Sequence, residues 1–411
     1  MPSSSQGSLK NTVARATNRS ALMGAIFLMA TSAIGPGFLT QTAVFTSKLG
    51  AAFAFAILVS ILIDIAVQLN VWRVIGIAGQ RAQELGNTVL PGLGWVLSAL
   101  IGVGSIVFNI GNIAGGGLGL NAALGISPVL GGAITALLAI AGFVVKKLGN
   151  LLDKLVVVLG ALMIVLTVYI AFRSSPPLAE AAINTIAPEK IDLVVITTLV
   201  GGTVGGYITY AGAHRMLDSG ETGPEHAATV SRSSISGILV TGVMRVVLFL
   251  AVLGVAASGA RLEGESNPAA AAFSYAAGPI GLRIFGVVLF CAALSSVIGC
   301  SYTSASFLVP PRAEFLTRQN IITIVFIIVS GALFLTVGTA PAKLLVFAGA
   351  FNGLVLPLGF TLILYIALFR GKDLLHGYRY PKYLIVLGVV ALVVSWALAW
   401  FSFKGVFELL S

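Results

Sequence analysis

The chain has 411 residues, of which 57% are hydrophobic and only 9% charged, and its mean hydropathy is +1.02. That leaves too little polar surface to cover a water-soluble globule and places the chain in a bilayer. The net charge of +10 is accounted for by basic anchors on an anionic membrane face, so no nucleic-acid partner is expected.

Apolar stretches predict membrane helices at 21–47, 50–72, 92–125, 127–146, 150–173, 192–217, 231–257, 278–307, 319–338, 340–369 and 381–402. Each suffices to cross a hydrocarbon layer of about 30 Å as a helix. The alternating polarity of a membrane barrel is absent. The expectation is an all-α membrane protein with eleven transmembrane helices. Residues 1–20 form a Ser-rich tail carrying Lys10, Arg15 and Arg19. No small-residue cleavage site follows the first apolar stretch, so that helix is expected to stay in the mature chain. With the tail in the cytoplasm, sixteen Lys and Arg fall on inner segments and six on outer ones. The positive-inside rule then predicts an inner (plasma) membrane protein with its N-terminus cytoplasmic and its C-terminus outside.

The first span contains Ala33, Ile34, Gly35, Pro36, Gly37 and Phe38. Proline removes an amide donor and the glycines loosen the backbone beside it, so the helix is expected to break. The sixth span holds Gly201, Gly202, Thr203, Val204, Gly205, Gly206 and Tyr207, four glycines in six positions, and is expected to unwind there. Freed peptide groups survive at membrane depth only where protein, water or cargo satisfies them, which predicts a buried binding site. Two five-span sets that each open with a broken helix point to inverted repeats around a midplane site, over 21–173 and 192–369. Residues 174–191 would form an outer loop, 370–380 a cytoplasmic loop, and 381–411 the eleventh helix with the C-terminus. Amides at a half-helix start favour an anionic group and freed carbonyls a cation, so the backbone leaves the cargo class open.

Asp64, in the second span, is the carboxylate that falls at membrane depth. It is either a coupling-ion residue or half of a structural pair with a base such as Arg245. Cys291 and Cys300 share one apolar stretch without a metal or disulfide spacing and are expected to pack as small hydrophobes. His214, beside Arg215 at the inner end of the sixth span, is expected at the membrane interface rather than in a site.

The stretch from Gly35 to Gly50, the third span from Asn109 to Gly125, the sixth span, the eighth from Leu294 to Tyr302 and the tenth from Asn352 to Pro357 together resemble the NRAMP family of proton-coupled divalent-metal transporters. The resemblance implies the leucine-transporter fold, with helices 1 and 6 broken. It also exposes departures. The family's Asp-Pro-Gly-Asn motif, which ligates the ion, stands here as Gly35, Pro36, Gly37 and Phe38. Its Met-Pro-His in the sixth helix stands as Gly205, Gly206 and Tyr207, and its acidic proton-path residues fall on Asn109 and Asn112. The tenth-helix glutamine falls on Asn352. Loss of the acids, thioether and histidine removes what would hold a dehydrated transition metal. These positions, with Gly202 and Thr203, predict a roomier and neutral substrate pocket. Ser295 and Ser296 match an eighth-helix position that, in sodium-coupled relatives of the fold, completes a sodium site with first-helix carbonyls near Ala33. Na+ or H+ is thus the candidate coupling ion, and no other cofactor is expected.

Three functions remain open. The first is a secondary transporter of a small organic solute, an amino acid or related carboxylate, held by half-helix amides and shaped by Phe38, Thr203, Tyr207 and Tyr210. The second is a divalent-cation transporter, for Mg2+ or Mn2+, that holds a hydrated ion on Asn109, Asn112, Asn352 and carbonyls. The third is a membrane sensor or scaffold. No nucleophile–base or metal constellation points to an enzyme. The partners expected are a small-molecule substrate and the lipid bilayer; the oligomeric state stays open.

Overall fold

The computed structural model describes residues 33–218, 220, 222–310, 313–337 and 341–409. The described residues are helical and contain no strand. In chain order the helices are α1 (Pro36–Leu49), α2 (Phe53–Ala78), α3 (Ala82–Val89), α4 (Leu93–Leu124), α5 (Pro128–Val144), α6 (Lys146–Arg173) and α7 (Leu178–Ile186). There follow α8 (Leu193–Thr203), α9 (Ile208–Asp218), α10 (Ala227–Ala257), α11 (Pro268–Ser306), α12 (Leu316–Val337), α13 (Pro341–Phe369) and α14 (Lys382–Glu408).

Helices occupy every stretch expected to cross the membrane, the first only from Pro36, because residues 21–32 lie outside the described residues. Among the described residues, eight helical stretches are long and apolar enough to span, with Pro36–Ala78 taken as one. A ninth is reached if Gly160–Arg173 and Leu178–Ile186 together form one bent span. α5 has 17 residues, about 26 Å of helix rise, short for a hydrocarbon layer.

Two boundaries differ from expectation. The loop at 174–191 contains a helix, α7, bent 109° from α6. Pro176 and Pro177 end one helix and admit a new start, since proline lacks the amide that would continue the ladder. α11 begins at Pro268, ten residues before the expected start, and is kinked at Gly278 (φ 67°, ψ −164°) immediately before Pro279. That backbone conformation is open to glycine alone at low cost, so the predicted span starts at the kink.

α4 packs along α11, and α13 lies against both α4 and α8. α1 is held among α10, α11 and α13. At the end expected to face outward, Asp192 caps α8 by accepting the Val195 amide at 3.1 Å and pairs with Lys48 of α1 at 2.7 Å. Burial pushes the Asp192 carboxyl upward, but the Lys48 hydrogen bond and charge with the Val195 amide outweigh it and hold the group below its usual value. Its stabilisation is therefore fully present above about pH 4 and is lost as pH falls through the lowered value. Replacing Asp192 with alanine should cost about 1 kcal/mol at neutral pH, as for other helix caps, and less in acid. Thermal melts of the purified protein at both pH values check this.

Candidate functional site

The sixth segment breaks where its glycines were expected to break it, over a narrower extent, and the helix of the first segment starts at the expected Gly-Pro step, with residues 1–32 outside the described residues. α1 starts at Pro36, and Gly35 before it is extended (φ −72°, ψ −178°). The sixth segment is non-helical only over 204–207, between α8 and α9, with Gly206 at φ 59°. Gly201 and Gly202 stay helical because they serve close packing. A Cβ on Gly201 would overlap the Gly349 carbonyl and the Gly353 amide of α13. One on Gly202 would overlap the Gln41 amide, and one on Gly206 the Asn352 side chain. Small residues thus bring helix backbones together, as is common between membrane helices. The expected extra room is corrected at Gly201, Gly202 and Gly206, where neighbouring helices occupy the space a side chain would take.

α4 lines this centre with one face. Gly104, Phe108, Gly111 and Gly115 recur at helical spacing. Asn352 abuts Gly104, the Phe108 ring meets Tyr207 edge-on with centroids 5.4 Å apart, Leu345 lies over Gly111 and Pro36 over Gly115. Ser105, Asn109 and Asn112 are displaced by one residue, about 100° around the helix, and follow the side turned to α11. Asn109 Nδ2 donates to Ser301 Oγ at 3.0 Å, and Cys300 Sγ donates to the Ser105 carbonyl at 3.3 Å. The structure therefore gathers Gly35, Pro36, Gly37, Gly202, Gly205, Gly206, Tyr207 and Asn352 around the breaks, and turns Asn109 toward the α4–α11 seam. Asn112 is fully buried on the same seam face. Phe38 is buried in α1. Thr203 is buried, and its hydroxyl donates to the Leu199 carbonyl of its own helix at 2.7 Å.

Gln41 is the central residue that sequence reasoning missed. It is fully buried, Nε2 donates to the Leu345 carbonyl of α13 at 3.0 Å, and Oε1 lies against Gly202 of α8. Asn352 Nδ2 donates to the carbonyls of Gly104 (3.0 Å) and Ala348 (2.8 Å). The Oε1 of Gln41 and the Oδ1 of Asn352 have no hydrogen-bond partner among the described residues. The available signal was Thr40-Gln41-Thr42, a polar run where a lipid-facing helix would be apolar.

Of the coupling-ion candidates, Ala33 and Ser296 are buried while Ser295 is part-exposed. Asp64 is paired: Oδ2 lies 2.5 Å from Arg245 Nη2, and Arg245 Nη1 donates to Ser60 Oγ at 3.3 Å, all three residues being buried. Gln68, one turn along α2, accepts from Trp72 Nε1 at 2.8 Å, and the Trp72 ring packs on Gly212 of α9.

The ends of these helices expected to face inward meet at Arg81. The sequence places it among the leaflet anchors, but it is fully buried. Its guanidinium donates to the Ser306 carbonyl at 2.7 Å, to the Val309 carbonyl, and to Asp218 at 2.5 Å. Tyr302 donates to the same Asp218 carboxylate and accepts from Arg215 at 3.3 Å. His214 is likewise buried, with Nδ1 2.7 Å from Ser306 Oγ and Nε2 accepting the Ala82 amide at 3.3 Å. At the opposite end, a cavity of about 570 Å³ lies between the end of α4 and the start of α11, with Asn121, Arg261, Glu265 and Tyr275 among its walls.

The order in which these helices pack around an interrupted sixth segment is that of the leucine-transporter fold. A manganese transporter of Eremococcus coleocola shares that fold with a TM-score of 0.71 at 16% identity, over 94% of this chain and 86% of that one. MhsT, solved in complex with L-phenylalanine, shares it with a TM-score of 0.63 at 16% identity, over 92% and 98%. The chain belongs to the natural resistance-associated macrophage protein-like (Nramp) family, whose profile matches residues 26–403. The Bacillus subtilis membrane protein YcsG is 50% identical over 382 residues, covering 92% of this chain and 93% of its own.

Proposed function

We propose that this transporter moves a small organic solute, an amino acid or related carboxylate, by alternating access around the two helix breaks. One observation carries the reading. The polar side chains that meet at the breaks, Gln41 and Asn352, are neutral amides with unused oxygens. A divalent ion stripped of water needs anionic oxygen or soft ligands, and among the described residues no three His, Cys, Asp or Glu gather where they could hold one. The first-turn amides of α1, behind an extended Gly35, suit a carboxylate instead. In this reading the repeats run over 21–173 and 192–369, and the N-terminus lies in the cytoplasm.

The divalent-cation reading is the better backed by likeness. It has behind it the family as a whole and the fold shared with a manganese transporter. The organic solute has on its side the fold shared with the L-phenylalanine-bound MhsT. In the cation reading, Mg2+ or Mn2+ would keep its hydration shell and meet the amide oxygens through water.

Uptake into proteoliposomes separates the two. Accumulation of an amino acid or small carboxylate, with no uptake of Mn2+ or Mg2+, is the expected result. Uptake of either ion with no response to any organic solute would overturn the organic cargo.

A further inference from the structure

Orphaned acceptors deep in a membrane protein are costly, because nothing in the surrounding hydrocarbon replaces the missing donor. Most such groups find a partner in the fold, so one that stays unpaired calls for a ligand, water or ion. The Gln41 amide is fully buried, and its nitrogen is satisfied by the Leu345 carbonyl at 3.0 Å. That bond fixes the flip of the amide and leaves Oε1 as the free end. The free end lies against Gly202, on the last turn of α8 before the interruption, while the Gln41 nitrogen lies against Gly349 of α13. The oxygen of Asn352 is held in the same way: its nitrogen is engaged by Gly104 and Ala348, and Oδ1 points at Gly206. Two acceptors, each oriented by its own donor, therefore bracket the glycine run of the sixth segment from α1 and from α13. Acceptors so placed recognise donors, and an N–H donor of the ammonium or amide type fits two neutral carbonyl oxygens without needing a carboxylate.

Resting on the organic-cargo reading, we propose that Gln41 is a cargo-recognising residue whose Oε1 accepts a hydrogen bond from an N–H group of the solute. It selects amino acids and other nitrogen-bearing carboxylates over carboxylates of the same skeleton without nitrogen. Asn352 supplies the second acceptor, and the carboxylate is left to the α1 amides.

The test uses the full-length protein in detergent, with the proteinogenic L-amino acids and their deamino carboxylic acids as probes, read by thermal shift and by equilibrium binding. Wild type should bind its best amino acid at least about tenfold more tightly than the deamino analogue, the scale expected when a buried acceptor loses its donor. Gln41→Met, which keeps the length and removes both the acceptor and the bond to the Leu345 carbonyl, should erase that preference, with an unliganded melting temperature lowered only by the loss of that one hydrogen bond. Should Gln41→Met fail to fold, the wild-type comparison still decides: equal affinity for the two members of a pair overturns the proposal. Amino-acid binding with an unchanged preference in Gln41→Met overturns the role of Gln41 and leaves the organic cargo standing. Uptake of Mn2+ or Mg2+ with no amino-acid response removes both.

Discussion

Replacing Arg245 with methionine should destabilise the protein by about 3–5 kcal/mol, because it strands the Asp64 carboxylate in a buried site with no opposite charge. The two groups lie 2.5 Å apart near the middle of α2 and α10, at 1% and 0% side-chain exposure. Removing both charges, as Asp64→Leu with Arg245→Met, should restore most of the loss, since a buried ion pair and a well-packed apolar pair of similar size often differ little. Denaturation in mild detergent measures the three variants. If the double variant is as unstable as the single one, charge compensation is not what holds α2 to α10. The same double variant tests the coupling-ion alternative for Asp64. Uptake with an unchanged pH dependence in liposomes would make the pair structural, whereas loss of pH dependence at retained stability would make Asp64 a coupling-ion residue.

The second large effect separates glycines that look equivalent in the sequence. Gly201→Ala should prevent normal folding or cost several kcal/mol, because its methyl would run into the Gly349 carbonyl and the Gly353 amide, which are backbone and cannot rotate away. Gly206→Ala should be nearly as severe, combining a left-handed φ of 59° with overlap on the Asn352 side chain. Gly37→Ala should fold, since the nearest atoms to its methyl are at 3.7–3.9 Å, an ordinary contact. Yield of monodisperse protein and melting temperature check all three. A Gly201→Ala variant that purifies and melts like wild type would contradict the close approach of α8 and α13.

These contrasts also show what could be read from the chain beforehand. Gly35-Pro36 and the four-glycine run located both interruptions, because proline chemistry and glycine freedom act locally. The helix limits at Gly92, Gly125 and Asp192 likewise follow the ends of the apolar stretches at 92–125 and 192–217. What a deleted side chain leaves behind was not legible. Gly206 and Asn352 are far apart in the chain, and nothing near either says that one fills the other's space. The family resemblance puts Asn109 and Asn112 at the centre, yet a one-residue offset on α4 turns Asn109 toward Ser301. Arg81 looks like an anchor in the sequence because a basic residue at a helix end has the same signature whether it reaches for lipid headgroups or folds back onto carbonyls. Only the positions of Ser306, Val309 and Asp218 distinguish the two.

Arg81 joins three stretches of chain through one planar group. Its partners belong to the end of α9, the last turn of α11 and the segment just after it. None can withdraw by itself without leaving a guanidinium short of an acceptor in a dry interior, so separation there is cooperative. A rearrangement that separates these stretches has to release their contacts with Arg81 together rather than one at a time.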